Sequence, residues 1–377
     1  MHQSSKHTLP PLPSVLEINP DICNMNVDYL IIGQGICGSF LSRYLLEAGC
    51  DVLVIDKERP NSASRVASGI INPVTGRRLV KTWEIDKFMP LAKDAYKSWE
   101  LLLGKPLLTE TSILDFPVTA QMHLAFQERM AEESLLGIPA NTDQWKHFFH
   151  FAFPPGEIKP ALLININALL EGWRSILIEK NTIREEVFYH EELVIKENNV
   201  VYRDIKANKI LFCDGAAGSQ FHLFAALPFV ANKGEVIWAR IPGLPSGQIY
   251  KCGLTIVPWN EDIFWIGSTY EWDFEDDQPT DAFRDRVNNT LKAWLKLPFE
   301  LLDHKASLRP ANMERRPFVG LHPQYSSVGI LNGMGTKGCS LAPWFARELA
   351  NHLIHGLPIH PQADISRFSK ILSRFID

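Results

Sequence analysis

A short apolar run followed by a helical pattern opens the part of the chain with regular hydrophobic periodicity. Residues 27–32 are mostly branched or aromatic, which is typical of a buried parallel strand. From residue 39 to 48 the apolar side chains recur at three- and four-residue steps on one helical face, and Gly49 ends the helix. A second apolar run, 50–55, ends at Asp56. The pattern predicts a strand, a helix and a second strand at the start of a parallel sheet.

The middle of the chain alternates helical and strand patterns. Residues 84–150 carry helical periodicity, clearest between Phe88 and Leu102, and this indicates an inserted helical unit. Further elements are predicted as a helix at 164–178, a hairpin at 194–202, and a third strand of the first sheet at 209–213, leading to Gly215.

Between residues 233 and 272 the pattern changes to strands that are broken by Pro and Gly. Aromatic and branched residues favour strands, and the breaks favour an antiparallel sheet in a second domain. The predicted strands are 235–240, 253–258 and 263–270, and the four tryptophans of this region are Trp238, Trp259, Trp265 and Trp272. The last block returns to strand, Gly-rich loop and helix. That helix is predicted over 341–354, with Pro343 in its first turn and Gly356 beyond its end.

Composition and charge narrow the class of protein. The chain has 377 residues, with 38 Lys and Arg against 43 Asp and Glu, so its formal net charge is −5. This balance excludes a strongly basic nucleic-acid binder. Hydrophobic residues make up 46% and charged residues 21%, which is typical of a packed globular protein. Two domains are expected, because single cores stop growing near this length.

The remaining composition signals are negative. The six cysteines form no CxxC pair and no zinc-like spacing with His, so neither a metal site nor a disulfide framework is expected. No apolar leader and no run of bilayer-spanning length is apparent, so we expect a cytoplasmic protein without a membrane span. Residues 1–26 are predicted to be a loose extension. Met25 is a candidate for the true start of the protein, and a genuine tail before it is an equally good interpretation.

The strongest local motif is Gly33-Gln34-Gly35-Ile36-Cys37-Gly38, which follows a predicted strand and opens a predicted helix. In a dinucleotide-binding motif the first Gly allows the tight turn, the second lets the backbone approach a pyrophosphate, and the third lets helix and strand pack closely. Asp56, with Lys57 after it, ends the next strand, where a carboxylate accepts hydrogen bonds from a ribose. The acidic residue disfavours a 2′-phosphorylated cofactor. The motif alone does not separate NAD from FAD.

Five further motifs occur in a definite order: residues 61–73 (NSASRVASGIINP), 233–235 (KGE), 266–271 (IGSTYE), 308–320 with its two Arg-Pro pairs, and 332–338 (NGMGTKG). Together they resemble the D-amino-acid oxidase superfamily of FAD enzymes, which includes glycine oxidase and monomeric sarcosine oxidase. The resemblance implies an α/β fold of two domains, a Rossmann-type FAD-binding domain and a substrate domain built on a mixed or antiparallel sheet. The expected FAD domain comprises 27–85, 150–225 and 305–377, and the expected substrate domain comprises 86–149 and 226–304.

The resemblance also implies a set of cofactor-binding residues. Segment 64–69 is expected along the pyrophosphate and flavin, and loop 333–338 against the flavin pyrimidine ring. Family members that attach FAD covalently do so through Cys or His, and neither occurs at the matching positions, so non-covalent FAD is expected. The expected set comprises Gly33, Gln34, Gly35, Ile36, Cys37, Gly38, Asp56, Lys57, Ser64, Ala67, Ser68, Gly69, Gly215, Gly333, Met334, Gly335, Thr336 and Lys337.

Two cations are the expected substrate-binding, catalytic residues. Arg309 matches the family arginine that binds the substrate carboxylate, and Lys337 matches the lysine that shares this role in sarcosine oxidase. Arg309 is also consistent with a structural ion pair, and Lys337 with a solvent-facing side chain. The implied reaction oxidises the C–N bond of a small amine or amino acid by hydride transfer to flavin N5, and water then hydrolyses the imine.

The electron acceptor and the pocket walls stay open at this point. Trp265 stands where sarcosine oxidase places the lysine that activates oxygen, so either O2 or another acceptor is compatible. Trp265 is consistent with a pocket wall or with plain core packing. Arg77 and Arg78 follow the flavin-contacting segment, either as contacts to an anionic substrate or as a solvated loop.

Other functions compete with amine oxidation. A flavin-dependent tRNA-modifying enzyme acting on a carboxymethylamino group is one, since half of a bifunctional tRNA-modifying enzyme belongs to this superfamily, although the net charge argues against nucleic acid. A dehydrogenase of a 2-hydroxy acid is another. An NAD-dependent dehydrogenase would leave the second Gly-rich motif unexplained, and a flavin-binding protein without turnover would be insensitive to loss of Arg309.

Overall fold

The structure is a computed structural model, and it describes residues 24–76 and 78–374. The predicted loose extension therefore lies largely outside the described residues, although Met25 and Asn26 already belong to the first strand. The helices are α1 (Ile36–Glu47), α2 (Ala63–Val66), α3 (Ile85–Leu103), α4 (Ala120–Met130), α5 (Ile166–Glu179), α6 (Asp281–Trp294), α7 (Gly338–His355) and α8 (Ser369–Leu372). The strands are β1 (Met25–Ile32), β2 (Val52–Ile55), β3 (Ile70–Ile71), β4 (Val74–Thr75), β5 (Val80–Lys81), β6 (Leu108–Asp115), β7 (Leu136–Gly137), β8 (Gly156–Ile164), β9 (Ile183–Arg184), β10 (Leu193–Ile195), β11 (Val200–Tyr202), β12 (Ile205–Phe212), β13 (Phe229–Arg240), β14 (Ile249–Cys252), β15 (Leu254–Asn260), β16 (Ile263–Gly267), β17 (Glu300–Asn312), β18 (Phe318–Leu321) and β19 (Val328–Asn332).

The first sheet is built around β1. This strand pairs in parallel with β12 on one side and β2 on the other, and β12 also pairs in parallel with β19. β9 continues the sheet beyond β2, and the hairpin β10–β11 closes the opposite end. Because parallel strands end at the same edge, the segments after β1, β2, β12 and β19 meet there. A ligand site at this edge is the usual arrangement for such sheets.

Both faces of the first sheet are covered, which explains its nearly continuous apolar strands. Side chains of β1 alternate between two cores: Ile31 packs with the helices α1, α3, α5 and α7, and Leu30 packs with the cluster that holds Phe212. Phe40 of α1 is fully buried, and its ring lies 5.6 Å from Tyr96 and 5.5 Å from Trp99, both in α3. The helices therefore form one layer on this face.

The second sheet is mixed, in the order β17-β13-β16-β15-β14-β6-β8-β3. Its pairs are antiparallel except β14 with β6, which run in parallel. Ile237 of β13 faces helix α6, whereas Trp238 faces the opposite side, opposite Trp265 in the register of β13 and β16. The predicted α/β class, with a parallel nucleotide-type sheet and a mixed second sheet, is confirmed.

Several predicted elements have different bounds. Helix α1 begins at Ile36, inside the glycine motif, and β16 ends at Gly267 rather than at residue 270. The helical interpretation of 84–150 is wrong beyond α3 and α4, because β6 lies between them in the second sheet. Apolar and polar residues alternate too little over the six residues 108–113 for periodicity alone to distinguish a strand from a turn of helix.

Helix α7 also differs from its prediction. It begins at Gly338, so Pro343 lies inside the helix rather than in its first turn, and it ends at His355, after which Gly356 adopts φ 68°. A proline inside a helix leaves the carbonyl four residues earlier without its N–H donor. That carbonyl belongs to Cys339, and the buried Tyr96 hydroxyl donates to it at 2.9 Å. α3 thus satisfies the backbone gap in α7.

Sheet membership differs from the expected domain ranges in three places. β3, β8 and β17 lie in the second sheet, although their ranges were assigned largely to the FAD domain. Conversely, α3 packs on the first sheet's helical layer, although 86–149 was assigned to the substrate domain. The domain boundaries themselves stay a prediction. In the described part of the chain, no helix has both the length and the apolar character needed to span a bilayer.

Candidate functional site

The glycine motif lies at the turn from β1 into α1. Gly33 has φ 97°, and a Cβ there would lie 2.7 Å from the Cys213 carbonyl oxygen. A Cβ on Gly38 would lie 1.9 Å from the Gly33 carbonyl oxygen. Both glycines are therefore required by the packing of the chain on itself, as the motif predicts.

Gly35 has a different role, because it faces the segment that follows β2. A Cβ on Gly35 would lie 3.1 Å from Ser64 Oγ, and the same hydroxyl accepts the Ile36 N–H at 3.1 Å. Gly35 is the N-cap of α1, and the first turn of α1 carries no acidic side chain. The first N–H groups of a helix attract anions, and a glycine here lets a pyrophosphate approach. The residues present therefore fit the diphosphate of a dinucleotide cofactor.

Asp56 follows β2 at the same edge. Its Oδ2 accepts the Gln34 N–H at 2.9 Å, which joins it directly to the glycine motif. Its Oδ1 accepts the Glu58 N–H at 2.7 Å and Nη1 of Arg174 at 3.0 Å. Arg174 lies in α5, 118 residues away, and no sequence motif predicts this contact.

Asp214 is a second carboxylate at this edge that sequence reasoning missed. It follows β12, next to Gly215 with its φ of 65°, and its Oδ1 accepts Nδ2 of Asn332 at 3.2 Å. Burial raises the pKa of Asp214 to about 7, and the hydrogen bond from Asn332 and the charge of Arg59 offset this only in part. Its position after a parallel strand, like that of Asp56, was the available signal.

Segment 63–69 connects the glycine motif to the second sheet. Gly69 has φ 82°, and a Cβ there would lie 2.0 Å from the Ile164 carbonyl oxygen. At the other end, the buried Trp265 indole donates to the Val66 carbonyl at 2.9 Å. Ala67 and Ser68 lie between these two anchors. Trp265 thus fixes this segment from β16, in addition to packing in the core of the second sheet.

Loop 333–338 connects β19 to α7 and lies against β17. Gly333 and Gly335 have φ of 74° and 56°, and the Gly335 N–H donates to the Pro310 carbonyl at 3.0 Å. Asn312 Nδ2, at the end of β17, donates to the Gly333 carbonyl at 2.9 Å. Met334 is buried, whereas Thr336 is exposed. A Cβ on Gly338 would lie 3.2 Å from the Ile36 side chain, so this loop also meets the glycine motif.

Arg309 projects from β17 across the neighbouring strand β13. Its Nη1 donates to Asn232 Oδ1 at 2.6 Å and to the Thr269 carbonyl at 3.1 Å, and its Nη2 donates to Ser268 Oγ at 2.9 Å. A Cβ on Gly234 would lie 1.9 Å from Nη2, so the guanidinium occupies the space that Gly234 leaves. The Tyr270 ring centroid lies 4.7 Å from the guanidinium carbon.

Lys337 has different surroundings from Arg309. Burial lowers the pKa of Lys337, and the positive charges of Arg316 and Arg315 lower it further. The structure brings loop 333–338 to β17, but the bonding partners of Arg309 lie on β13 and after β16. Arg78 is exposed in a turn, and Arg77 lies outside the described residues.

A parallel sheet with a glycine turn, an acidic residue after the second strand and a mixed second sheet define a two-domain dinucleotide-binding protein. The family model described as FAD dependent oxidoreductase (DAO) matches residues 28–149 and 177–352. The chain therefore belongs to the DAO family of FAD-dependent oxidoreductases. This confirms the resemblance seen in the motifs, and it makes the protein an FAD-dependent enzyme.

The relatives agree with this assignment. Glycine oxidase of Pseudomonas aeruginosa is 24% identical over 364 residues, which cover 89% of this chain and 97% of that protein. A tRNA 5-methylaminomethyl-2-thiouridine biosynthesis bifunctional protein of Caulobacter vibrioides is 23% identical, over 86% of this chain and 54% of that protein.

Two solved structures share the fold. The glycine oxidase of Geobacillus kaustophilus superposes with a TM-score of 0.75 at 16% identity, and the match covers 94% of this chain and 100% of that one. Iminodiacetate oxidase from a Chelativorans species superposes with a TM-score of 0.71 at 18% identity, covering 90% and 98%.

Proposed function

We propose that the protein oxidises the C–N bond of a small amine or amino acid that carries a carboxylate, using non-covalently bound FAD. The observation that carries this proposal is the bonding of Arg309. A guanidinium has five N–H donors. Three of them donate to Asn232, Thr269 and Ser268, so two N–H donors of Arg309 have no acceptor among the described residues. Two N–H donors on a planar, braced group are what bidentate binding of a carboxylate needs.

The surroundings of Arg309 support binding rather than a structural ion pair. No carboxylate of a described residue lies within ion-pair distance of its guanidinium. Burial lowers the pKa of Arg309, with a smaller opposing effect from Tyr270. A partly buried cation without an anionic partner binds a carboxylate strongly. Lys337 is proposed as a second, weaker source of positive charge at the same substrate.

The cofactor-binding residues are proposed from the edge of the first sheet. The N–H groups at the start of α1 and the Ser64 hydroxyl would hold the pyrophosphate, and Asp56 the adenosine ribose. Segment 64–69, Gly215 and loop 333–338 would line the rest of the cofactor. Neither Cys nor His occurs in 64–69 or 310–313, which supports non-covalent binding.

In this proposal FAD supplies hydride acceptance at N5, and the protein supplies positioning. Arg309 fixes the substrate carboxylate so that the Cα–H has one orientation. The amine binds neutral, and water hydrolyses the imine product to a carbonyl compound and free amine. None of the proposed site side chains is required as a general base.

The test begins with the purified protein and its visible spectrum. A flavin spectrum with acid-releasable FAD is expected, followed by anaerobic bleaching with one or more of glycine, sarcosine, proline and D-amino acids. Reoxidation in air then distinguishes O2 from another acceptor. For Arg309→Ala, we expect kcat/KM on carboxylated amines to fall about 100-fold or more, which corresponds to loss of a charge-assisted pair. Unchanged kinetics with FAD still bound would remove Arg309 from the site.

A second candidate is oxidation of a carboxymethylamino group on tRNA. The relationship to the Caulobacter vibrioides protein and the exposed Arg315, near Lys337, favour it. Incubation with tRNA that carries this group, followed by nucleoside analysis, tests it directly. Loss of the carboxymethyl group would replace the small-molecule proposal, and no change would exclude tRNA.

A further inference from the structure

We propose that Arg174 is a positioning residue of the cofactor site, which orients Asp56 so that Asp56 Oδ2 accepts a hydroxyl of the adenosine ribose. This rests on the proposed placement of FAD at the edge of the first sheet. Arg174 lies in α5 and is 5% exposed. It belongs to none of the sequence motifs, and it reaches the site through the packing of α5 against α1 and β9.

All five N–H donors of Arg174 are used. Nη1 donates to Gln34 Oε1 at 3.1 Å and to Asp56 Oδ1 at 3.0 Å. Nη2 donates to the Asp56 carbonyl at 3.1 Å and to Glu185 Oε1 at 2.9 Å, and Nε donates to the same Glu185 oxygen at 3.1 Å. Because the fork is filled, Arg174 acts as a brace and not as a ligand for the cofactor.

The brace leaves one acceptor position open on Asp56. A carboxylate has about four lone-pair directions, two on each oxygen. Oδ1 accepts the Glu58 N–H and Arg174, whereas among the described residues Oδ2 accepts only the Gln34 N–H. The remaining direction on Oδ2 is therefore the acceptor for a ribose hydroxyl. Arg174 also holds the Gln34 side chain, so the glycine turn and Asp56 are fixed together.

Charge supports the same role. Arg174 lies within 3.0 Å of Asp56, 3.3 Å of Glu58 and 2.9 Å of Glu185, so one buried cation faces three carboxylates. Without Arg174, the Asp56 carboxylate would lose its cationic partner while Glu58 and Glu185 remain beside it, and repulsion between like charges would displace it. Loss of Arg174 should therefore weaken binding of an adenosine-containing ligand through the displacement of Asp56.

The test measures affinity of the flavin-free protein for FAD and for ADP by titration calorimetry. We expect Arg174→Met to raise both dissociation constants at least tenfold, and Asp56→Asn to do the same. The double variant should lose no more than Asp56→Asn alone, because Arg174 acts through Asp56. The matched control is Arg184→Met, which removes a guanidinium on β9 that pairs with Asp204. The backbone carbonyl of residue 184, which accepts the Asp56 N–H at 3.1 Å, is retained in this variant. The control should leave both constants within twofold.

The possible outcomes separate the inference from its basis. Unchanged dissociation constants in a folded Arg174→Met, or additive losses in the double variant, overturn the inference about Arg174. An unchanged constant in Asp56→Asn overturns the placement of the ribose as well. If Arg174→Met does not fold, Arg174→Lys replaces it, since a lysine keeps the charge without the fork. Loss of ADP affinity in Arg174→Lys then supports the brace, and unaltered affinity overturns it.

Discussion

At the scale of residues, the absence of a side chain at Gly234 is as important as the presence of Arg309. The guanidinium lies where a Cβ of residue 234 would stand, and Asn232, fully buried, fixes it from the same strand. Asn232 is itself oriented, because its Nδ2 donates to the Glu271 carbonyl at 3.0 Å. The arginine is therefore held before any substrate arrives, which reduces the entropy lost on binding.

Gly234→Ala should displace Arg309 without removing it. A Cβ placed 1.9 Å from Nη2 and 2.1 Å from Cζ forces the guanidinium off Asn232 and Ser268. We expect kcat/KM for a carboxylated amine to fall by about 10- to 100-fold, equivalent to loss of about 1.5–3 kcal/mol of charge-assisted bonding. Steady-state kinetics on paired substrates, with and without a carboxylate, measure the effect.

Gly247→Ala is the matched control, because a Cβ at residue 247 meets no atom within 4 Å. It should leave both substrates unaffected. An equal loss on the amine without a carboxylate would mean that Gly234→Ala disturbs the sheet rather than the position of Arg309.

Asp214 gives a pH-dependent prediction. Burial raises its pKa from 3.8 to about 7, so the folded state of the flavin-free protein binds this proton more tightly than the unfolded chain. The resulting stability is complete below the unfolded pKa and is lost as pH rises through 7. Asp214→Asn should therefore gain free energy of unfolding relative to wild type between pH 5 and 8. The gain in free energy of unfolding is at most about 4 kcal/mol, because each unit of the pKa shift corresponds to about 1.4 kcal/mol.

Urea unfolding at several pH values measures this difference. Asp204→Asn serves as a control of opposite sign, because the hydrogen bond from Arg184 lowers the pKa of Asp204. A constant difference between wild type and Asp214→Asn across this pH range would contradict the elevated pKa.

The sequence identifies some of these residues and not others. Gly33, Gly38 and Asp56 could be predicted because a dinucleotide turn requires them at fixed local spacing. Their positions agree with that prediction, although their contacts to FAD stay a prediction. Arg174 and Asn232 could not be found, since their partners lie 118 and 77 residues away along the chain. Such contacts are fixed only when strands and helices pack.

At the scale of elements, α7 depends on α3 for its backbone bonding. Pro343 removes the donor for the Cys339 carbonyl, and the Tyr96 hydroxyl replaces it. The predicted start of α7 was three residues late because Gly338 has low helix propensity and the preceding loop is rich in glycine. A proline in the first turn of a helix needs no replacement donor, whereas Pro343, inside α7, does.

Tyr96→Phe should destabilise the protein by about 1–3 kcal/mol, because a buried carbonyl loses its partner while packing is retained. Chemical denaturation of the flavin-free protein measures the loss. Tyr44→Phe is the control, since the Tyr44 hydroxyl makes no hydrogen bond with any described residue. Equal stability of Tyr96→Phe and wild type would show that water satisfies the Cys339 carbonyl instead.

At the scale of the whole molecule, the chain passes several times between the two sheets. The class of fold and the order of motifs could be predicted, because each motif is local. The sheet to which β8 and β3 belong could not be predicted, because the sequence of an apolar strand does not indicate which strands it pairs with. The first and last parts of the chain meet where Gly338 approaches Ile36.

Because the first and last parts of the chain meet beside the proposed FAD site, we expect bound FAD to stabilise the whole fold. Its proposed contacts come from residues 33–38, 63–69 and 333–338, so the first and last parts of the chain cannot separate without losing them. At free FAD of 100 times its dissociation constant, the stabilisation should be about 2.7 kcal/mol. Thermal unfolding of the flavin-free protein with added FAD measures it. FMN, which lacks the adenosine half, should give a smaller shift, and equal shifts would contradict the contact to Asp56.

Strand β17 has a consequence for how this enzyme could change its substrate. It carries Arg309 in the second sheet, and three residues later Asn312 bonds to Gly333, while Pro310 accepts from Gly335. A mutation that shifts this strand would disturb both loop 333–338 and the position of Arg309 at once. New substrate preferences are therefore more accessible through residues off the strand, such as the exposed Tyr270, whose replacement leaves the backbone of β17 in place.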